Sequence, residues 1–186
     1  MRHKYTTEAL VLARYPHREA GMVATLLTRE FGLIHARAEG VRRSGAKLAH
    51  ALQTLCMSEV YLVKGKDGWR LTGAHLREDC FSDLPRNARI RASRVSGLVQ
   101  RLLGKDISDT VAFDHFFAFT VALRTLPESH LDSAEALVAI RLLHVLGIDA
   151  GELPPDGYDI SALTYATDSR KDLIERINRG ITASGL

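Results

Sequence analysis

The residues best suited to chemistry on an anion lie between Gly32 and Gln53, in the run GLIHARAEGVRRSGAKLAHALQ. Leu33, Ile34, Ala36 and Ala38 mix there with His35, Arg37 and Glu39 in a loose period of two, the pattern of a half-buried strand. Gly40 then permits a turn that most residues resist. Arg42, Arg43 and Lys47 follow, with Ser44 and Gly45 among them. Beyond Lys47 come Leu48, Leu52 and Leu55 with Ala49 and Ala51, a helical turn or a compact strand approach. A strand thus delivers cations on a small-residue loop, and an apolar segment pins the far side. Positive charge held out from a rigid scaffold in this way suits contact with phosphate. An ordinary solvated turn has the same composition, because short basic runs are weakly specific.

Other chemistries find no support. The eight histidines are scattered, and no pair has the i, i+4 spacing of a helical zinc site. There is no P-loop and no GxGxxG. Asp106, Asp109 and Asp114 could suggest a metal cluster, but carboxylates are favoured at helix starts by the helix dipole, which accounts for Asp106 and Asp109. Cys56 lies in an apolar run with Leu55 and Met57 and reads as a small hydrophobe. Cys80 follows Glu78 and Asp79 without ligand spacing. No catalytic residue, metal or cofactor is expected, since nothing meets the requirements of an active site.

Two isolated cysteines fit a reducing compartment better than a disulfide scaffold. No run reaches the length of a membrane span, and MRHKYTTEAL has no apolar signal core, so a cytoplasmic protein is expected. The formal net charge is +3 with a pI near 9.0. Up to Leu84 the chain has thirteen Lys and Arg against nine Asp and Glu, or +4; thereafter it has twelve against thirteen, or −1. The basic excess therefore accompanies the loop, and it favours an anionic partner. The 186 residues suffice for one medium domain or two small ones, and no staple is needed for stability.

The elements that must position these cations differ between the two halves. Residues 5–14 predict a first strand, and Tyr15, Pro16, His17 and Arg18 a turn, because proline cannot donate to a central ladder. Strands are predicted over 22–28, 33–38, 59–64 and 69–76, with a glycine-bounded hairpin at 64–68. Five short strands with tight turns fit a small closed barrel, either an OB-fold or an SH3-like barrel. From Pro85 the period becomes 3.6. Val95, Leu98, Val99 and Leu102 form an apolar stripe, flanked by Arg86, Arg94 and Arg101. That flank is either a solvated face or a docking site for an acidic tail. The phenylalanines of residues 111–126 cover most of a helix circumference and read as core. Asp132 and Glu135 have capping-box spacing, Gly147 suits a helix C-terminus, and Asp168 is placed to cap a last helix.

Several separated segments carry a family resemblance. Glu8-Ala9-Leu10-Val11-Leu12, the run TLLTREFGLIHARAEGVRRSGAKLAHALQTL from Thr25, and IRLLHVLGIDAGELP from Ile140 together resemble the RecO family of DNA repair and recombination mediators. Leu52-Gln53-Thr54-Leu55 departs from that family's leucine-glutamine-proline-phenylalanine, and the four-cysteine zinc module of many members is missing. The chain is also shorter than a typical member. The resemblance implies an α+β protein: an N-terminal OB-fold β-barrel, residues 1–82, that binds nucleic acid, followed by an all-helical domain, residues 83–186. It implies binding of single- and double-stranded DNA, strand annealing and assistance in recombinase loading, in a bacterial cytoplasm near the nucleoid. RecR and the acidic C-terminal tail of single-strand binding protein would be partners. On this reading the DNA-binding residues are Arg37, Arg42, Arg43 and Lys47, assisted by Lys64 and Lys66 on the hairpin. Trp69 could stack on a base, although a lone tryptophan is more often core. The tail would dock at Arg86, Arg94 and Arg101 beside Val95 and Leu98. The alternative is a protein-interaction adaptor whose barrel has lost DNA binding.

Overall fold

The computed structural model describes residues 3–17, 21–39, 48–103 and 110–185. They form two compact units, divided between Ser82 and Asp83, the second made of 83–103 and the residues from Val111 on.

The first unit is a closed five-stranded barrel: β1 (Lys4–His17), β2 (Gly21–Thr28), β3 (Gly32–Ala38), β4 (Cys56–Gly65) and β5 (Gly68–Asp79), in the order β1-β2-β3-β5-β4. A short helix, α1 (Leu48–Ala51), stands between β3 and β4. This is the OB topology, and it decides against an SH3-like barrel. The long β1 makes closure possible. Its residues 4–10 pair with β4, while 9–17 pair with β2, and a bulge between Val11 and Ala13 bends the strand from one partner to the other. The last closure is a short parallel ladder, Ala36 to Trp69, Arg37 to Arg70 and Ala38 to Leu71.

Period-two alternation fills the interior. Ala9, Val11, Ala24, Leu26, Ile34, Ala36, Val60, Leu62 and Leu71 point inward, and Leu52 packs against them from just beyond α1. Tyr5, Phe31 and Trp69 pack as a trio, with ring centroids 5.0 to 5.4 Å apart. The expected turn at Tyr15, Pro16 and His17 is instead the end of β1, where Pro16 faces Met22. Only β2 pairs with this part of β1, so a missing N–H costs the sheet nothing on the other side. A Cβ on Gly21 would meet the His17 carbonyl oxygen at 2.8 Å, so the start of β2 tolerates only glycine without a shift.

The second unit is helical: α2 (Arg86–Leu102), α3 (Thr110–Ala122), a 3₁₀ turn at Glu128–His130, α4 (Leu131–Val145), α5 (Ile160–Asp168) and α6 (Arg170–Ala183). Phe113, Phe116 and Phe119 are fully buried, as core residues. Gly147 has φ +69° and ends α4 in a Schellman arrangement, its N–H donating to His144 and that of Ile148 to Leu143. Two expected caps are absent. Asp132 and Glu135 lie inside α4, whose N-cap is His130, and they pair with arginines instead. Asp168 is the last residue of α5, a helix the periodicity did not predict; Asp159 caps that helix, its Oδ1 accepting from Ala162 N. Asp106 and Asp109 lie outside the described residues.

The connector after α4 is fixed by two buried arginines. Arg141 donates to the carbonyl oxygens of Pro155 and Gly157. Arg176 lies 2.6 Å from Asp149, with side chains 7% and 9% exposed, and also donates to Glu152 O. The Arg176 hydrogen bond holds the Asp149 carboxyl below its usual range. A group with a depressed folded-state pKa contributes stability above its unfolded pKa and loses it as pH falls through the folded value. Asp149→Asn leaves the buried guanidinium with only the exposed Asp172 at 3.6 Å as an ionic partner, and is expected to destabilise the chain by about 3 kcal/mol at neutral pH. The difference from wild type should shrink below about pH 4, where the unfolded-state aspartate begins to protonate. Urea melts of both proteins at neutral and acid pH check this.

Candidate nucleic-acid interface

The closing ladder determines which side chains meet on the outside of the barrel. Inward residues Ala36, Ala38, Trp69 and Leu71 bracket Arg37 and Arg70, so both arginines point outward. They are directly paired across β3 and β5, and Arg37 is paired on its other side with Val23 of β2. Val23 in turn faces Tyr15 of β1, which is 57% exposed. Tyr15, Val23, Arg37 and Arg70 therefore form one transverse row on four strands, with neighbours about 5 Å apart at Cβ. Neither arginine has an ion-pair partner among the described residues. One step along, Thr25 Oγ1 and His35 Nδ1 are hydrogen-bonded at 3.1 Å. An exposed aromatic ring beside two open guanidinium groups can stack on a base and contact phosphates.

The expected cations divide among three settings. Arg37 lies in this row. Lys64 and Lys66 are exposed on the β4–β5 hairpin, where Gly65 faces Gly68. Lys64 is turned towards the barrel end, its Nζ 5.1 Å from the Trp69 ring centroid, a cation–π distance. Arg42, Arg43 and Lys47 lie outside the described residues. Arg70 and Tyr15 went unrecognised in the sequence. Alternation through Trp69-Arg70-Leu71 marks Arg70 as the outward residue, whereas Tyr15 was hidden by the proline that follows it. Trp69 is 8% exposed, so its ring is core.

The helical unit carries a groove of about 540 Å³ between α2, α4 and α6. Val95 and Leu98 form one wall, and Ile174, Ile177 and Ile181 the other. Arg94 and Arg101 line it, together with Arg91 and Arg170. Arg86 does not: it borders a separate shallow depression with Arg89, Ile90, Ser93 and Arg94. Arg86 and Arg101 are fifteen positions apart on a 3.6-residue repeat, but a straight helix cannot bend both ends into one groove. The groove cations also differ in state. Arg91 spans Asp132 at 2.5 Å and Glu135 at 3.0 Å, and Arg94 lies 3.4 Å from Glu135. Burial pushes the Glu135 carboxyl up, against the pull of Arg94 and Arg91. Arg101 and Arg170 have no ion-pair partner among the described residues. Among those residues, no group of three or more His, Cys, Asp or Glu could hold a metal ion.

The closed five-stranded barrel places the chain in the OB-fold class, with an open cationic row across β1, β2, β3 and β5. Residues 1–78 match the family described as "Recombination protein O N terminal". The chain is 38% identical over 72 residues to a protein named DNA repair protein RecO from Dehalococcoides mccartyi strain BAV1, covering 39% of this chain and 28% of the relative. It is 32% identical over 143 residues to the DNA repair protein RecO of Heliobacterium modesticaldum, covering 77% of this chain and 51% of the relative. Residues 1–78 are thus a RecO N-terminal domain, and the similarity to the Heliobacterium relative runs on into the helical unit. The chain spans between about a quarter and a half of the length of these relatives. No helix among the described residues is long and apolar enough to cross a membrane.

Trp69 is the sole tryptophan, so its emission reports on the aromatic trio alone. Weak acrylamide quenching is expected, little altered by a saturating oligonucleotide. Strong quenching by the oligonucleotide would place the indole in the interface.

Proposed function

We propose that the chain is a DNA-binding recombination mediator. It binds single- and double-stranded DNA, promotes annealing of complementary strands and assists recombinase loading in recombinational repair. The row of Tyr15, Val23, Arg37 and Arg70 on the side where OB-folds bind oligonucleotides carries this reading. Arg42, Arg43, Lys47, Lys64 and Lys66 add phosphate contacts. The names of the relatives agree with a role in DNA repair. No bond is made or broken. Cations neutralise phosphates, repulsion between strands falls, and bases can meet. The chain acts in the bacterial cytoplasm near the nucleoid, with RecR as a protein partner and no membrane association.

The groove of the helical unit receives the C-terminal tail of single-strand binding protein. Such a tail is acidic and apolar, and needs apolar walls rimmed by open cations. Arg101 and Arg170 supply the charge, Leu98 and Ile177 the walls. Arg94 contributes less, being shared with Glu135.

If four cations each neutralise one phosphate, the log-log salt slope on single strands is about −3. Arg37→Ala with Arg70→Ala should make it shallower by about 1.4. Fluorescence anisotropy with a labelled oligonucleotide measures this, and an unchanged slope and affinity would return the barrel to the adaptor reading. For the groove, Arg101→Glu with Arg170→Glu should abolish the calorimetric signal of a tail peptide, whereas Arg86→Glu should leave it unchanged. Equal binding by all three proteins would remove the groove from consideration.

A further inference from the structure

Arg86 falls outside the groove, and its surroundings form a surface of their own. α2 has five arginines and no acidic residue. Its buried residues, Ala88, Ala92, Val95, Ser96, Leu98 and Val99, occupy one side of the helix. At 100° per residue, the opposite side carries Arg86, Arg89, Ile90 and Ser93, all exposed, with Arg94 at its border with the groove. From Arg86 to Arg94 the cations extend for about 12 Å along the axis. Acids of α4 and of the 3₁₀ turn before it bond side chains of α2. Glu128 accepts from Asn87, and Asp132 and Glu135 hold Arg91. The depression bordered by Arg86, Arg89, Ile90, Ser93 and Arg94 contains no acid. Helix stability does not explain this placement. Arg86 and Arg89 occupy the first turn, where the helix dipole disfavours cations. The middle of the face is low: Ser93 is small, and a Cβ on Gly97 would meet nothing within 4 Å.

We propose that this face of α2 holds the phosphate backbone of a second nucleic-acid strand, independently of the strand held by the barrel. The proposal rests on the reading of the barrel as DNA-binding, and it gives annealing a physical basis in two separate cationic surfaces. The chemistry favours nucleic acid over an acidic peptide. A phosphate row needs only guanidinium groups in line and close approach, which small residues permit. A peptide needs apolar surface to cover, and Ile90, 44% exposed, is the one large hydrophobic on this face. Arg86 has no ion-pair partner among the described residues, so its charge is open to a ligand. Arg89 Nε donates to Leu84 O, which orients that guanidinium at the start of the helix.

Binding stoichiometry tests this in the full chain with a labelled oligothymidine of roughly twelve nucleotides. At low salt, about 50 mM, wild type should bind two oligonucleotides per chain. Arg86→Glu with Ser93→Glu leaves the Arg89 bond intact and reverses the charge of the face. This variant should bind one, melt at the wild-type temperature, and anneal complementary strands at least tenfold more slowly. Arg86→Ala alone should weaken only the second binding event. A single site in wild type, or two sites kept by the charge-reversed variant, would overturn the proposal. Loss of tail-peptide binding with both oligonucleotides retained would identify a protein-docking face and overturn it equally. Retention of two sites by Arg37→Ala with Arg70→Ala would refute the barrel reading on which the proposal rests, an outcome distinct from two sites kept by the charge-reversed α2 variant.

Discussion

The barrel depends on three residue pairs. Ala36 to Trp69, Arg37 to Arg70 and Ala38 to Leu71 are the parallel ladder through which β3 meets β5. Every other neighbouring pair in the sheet is antiparallel and much longer. Parallel pairing is slightly less stable per residue, and three residues give little of it. The closure therefore relies on side chains: Ala36, Ala38 and Leu71 buried inside, and Trp69 locked against Tyr5 and Phe31. The same register fixes the outside. A slip by one residue would exchange inside and outside along one strand, burying a guanidinium and exposing leucine or tryptophan. Core packing thus enforces the pairing of Arg37 with Arg70, two like charges that would otherwise avoid each other.

In the helical unit, burial and charge are arranged the other way round. The arginines that organise the fold are inside and hydrogen-bonded to the connector. Arg141 holds connector carbonyls, and Arg176 holds Asp149 and Glu152. Gly151 belongs to this arrangement, because a Cβ there would fall within 2.4 Å of the Arg176 guanidinium. Buried pairs of this kind add little net stability, yet removing one partner is costly, so they fix conformation. Arg91 and Arg94 are intermediate, tied to carboxylates of α4 at the edge of a groove.

How much of this was legible in the sequence follows from the range of the physics involved. Period-two alternation is local, and it located all five strands and their order of appearance. Gly147 was legible because a left-handed terminus has few solutions. What failed depended on distant partners. Pro16 reads as a turn unless one knows that β4 has already left β1 by that point. Asp132 and Glu135 have the spacing of a capping box, but Arg91 on another helix holds both. Asp168 resembles a cap because the break between α5 and α6 is a single residue, Ser169. Arg86 was grouped with Arg94 and Arg101 by their common place beside one apolar stripe. Only the position of α4 and α6 shows that the groove covers the later part of α2. Arg70 could have been found from alternation alone.

The distribution of carboxylates explains why some arginines remain open. The net charge of +3 leaves the chain nearly balanced, so a carboxylate could in principle lie near most cations. Where a strand or helix needs support, one does: Glu8 meets Arg29 at 2.8 Å and Glu59 meets Arg77 at 3.0 Å. Exposed pairs like these contribute little to stability, so their absence elsewhere would cost the fold almost nothing. Open cations such as Arg37 and Arg70 on the barrel row, Arg101 and Arg170 in the groove and Arg86 on α2 are therefore cheap to keep. Their effect is on encounter. Unpaired guanidinium groups in rows raise the local concentration of a polyanion and release its counterions on contact, whereas neutralised ones do neither. A fold that bonds Arg141 and Arg176 inside and leaves Arg37, Arg70 and Arg86 open separates stability from surface charge, so that on the proposed function salt weakens binding without loosening the protein.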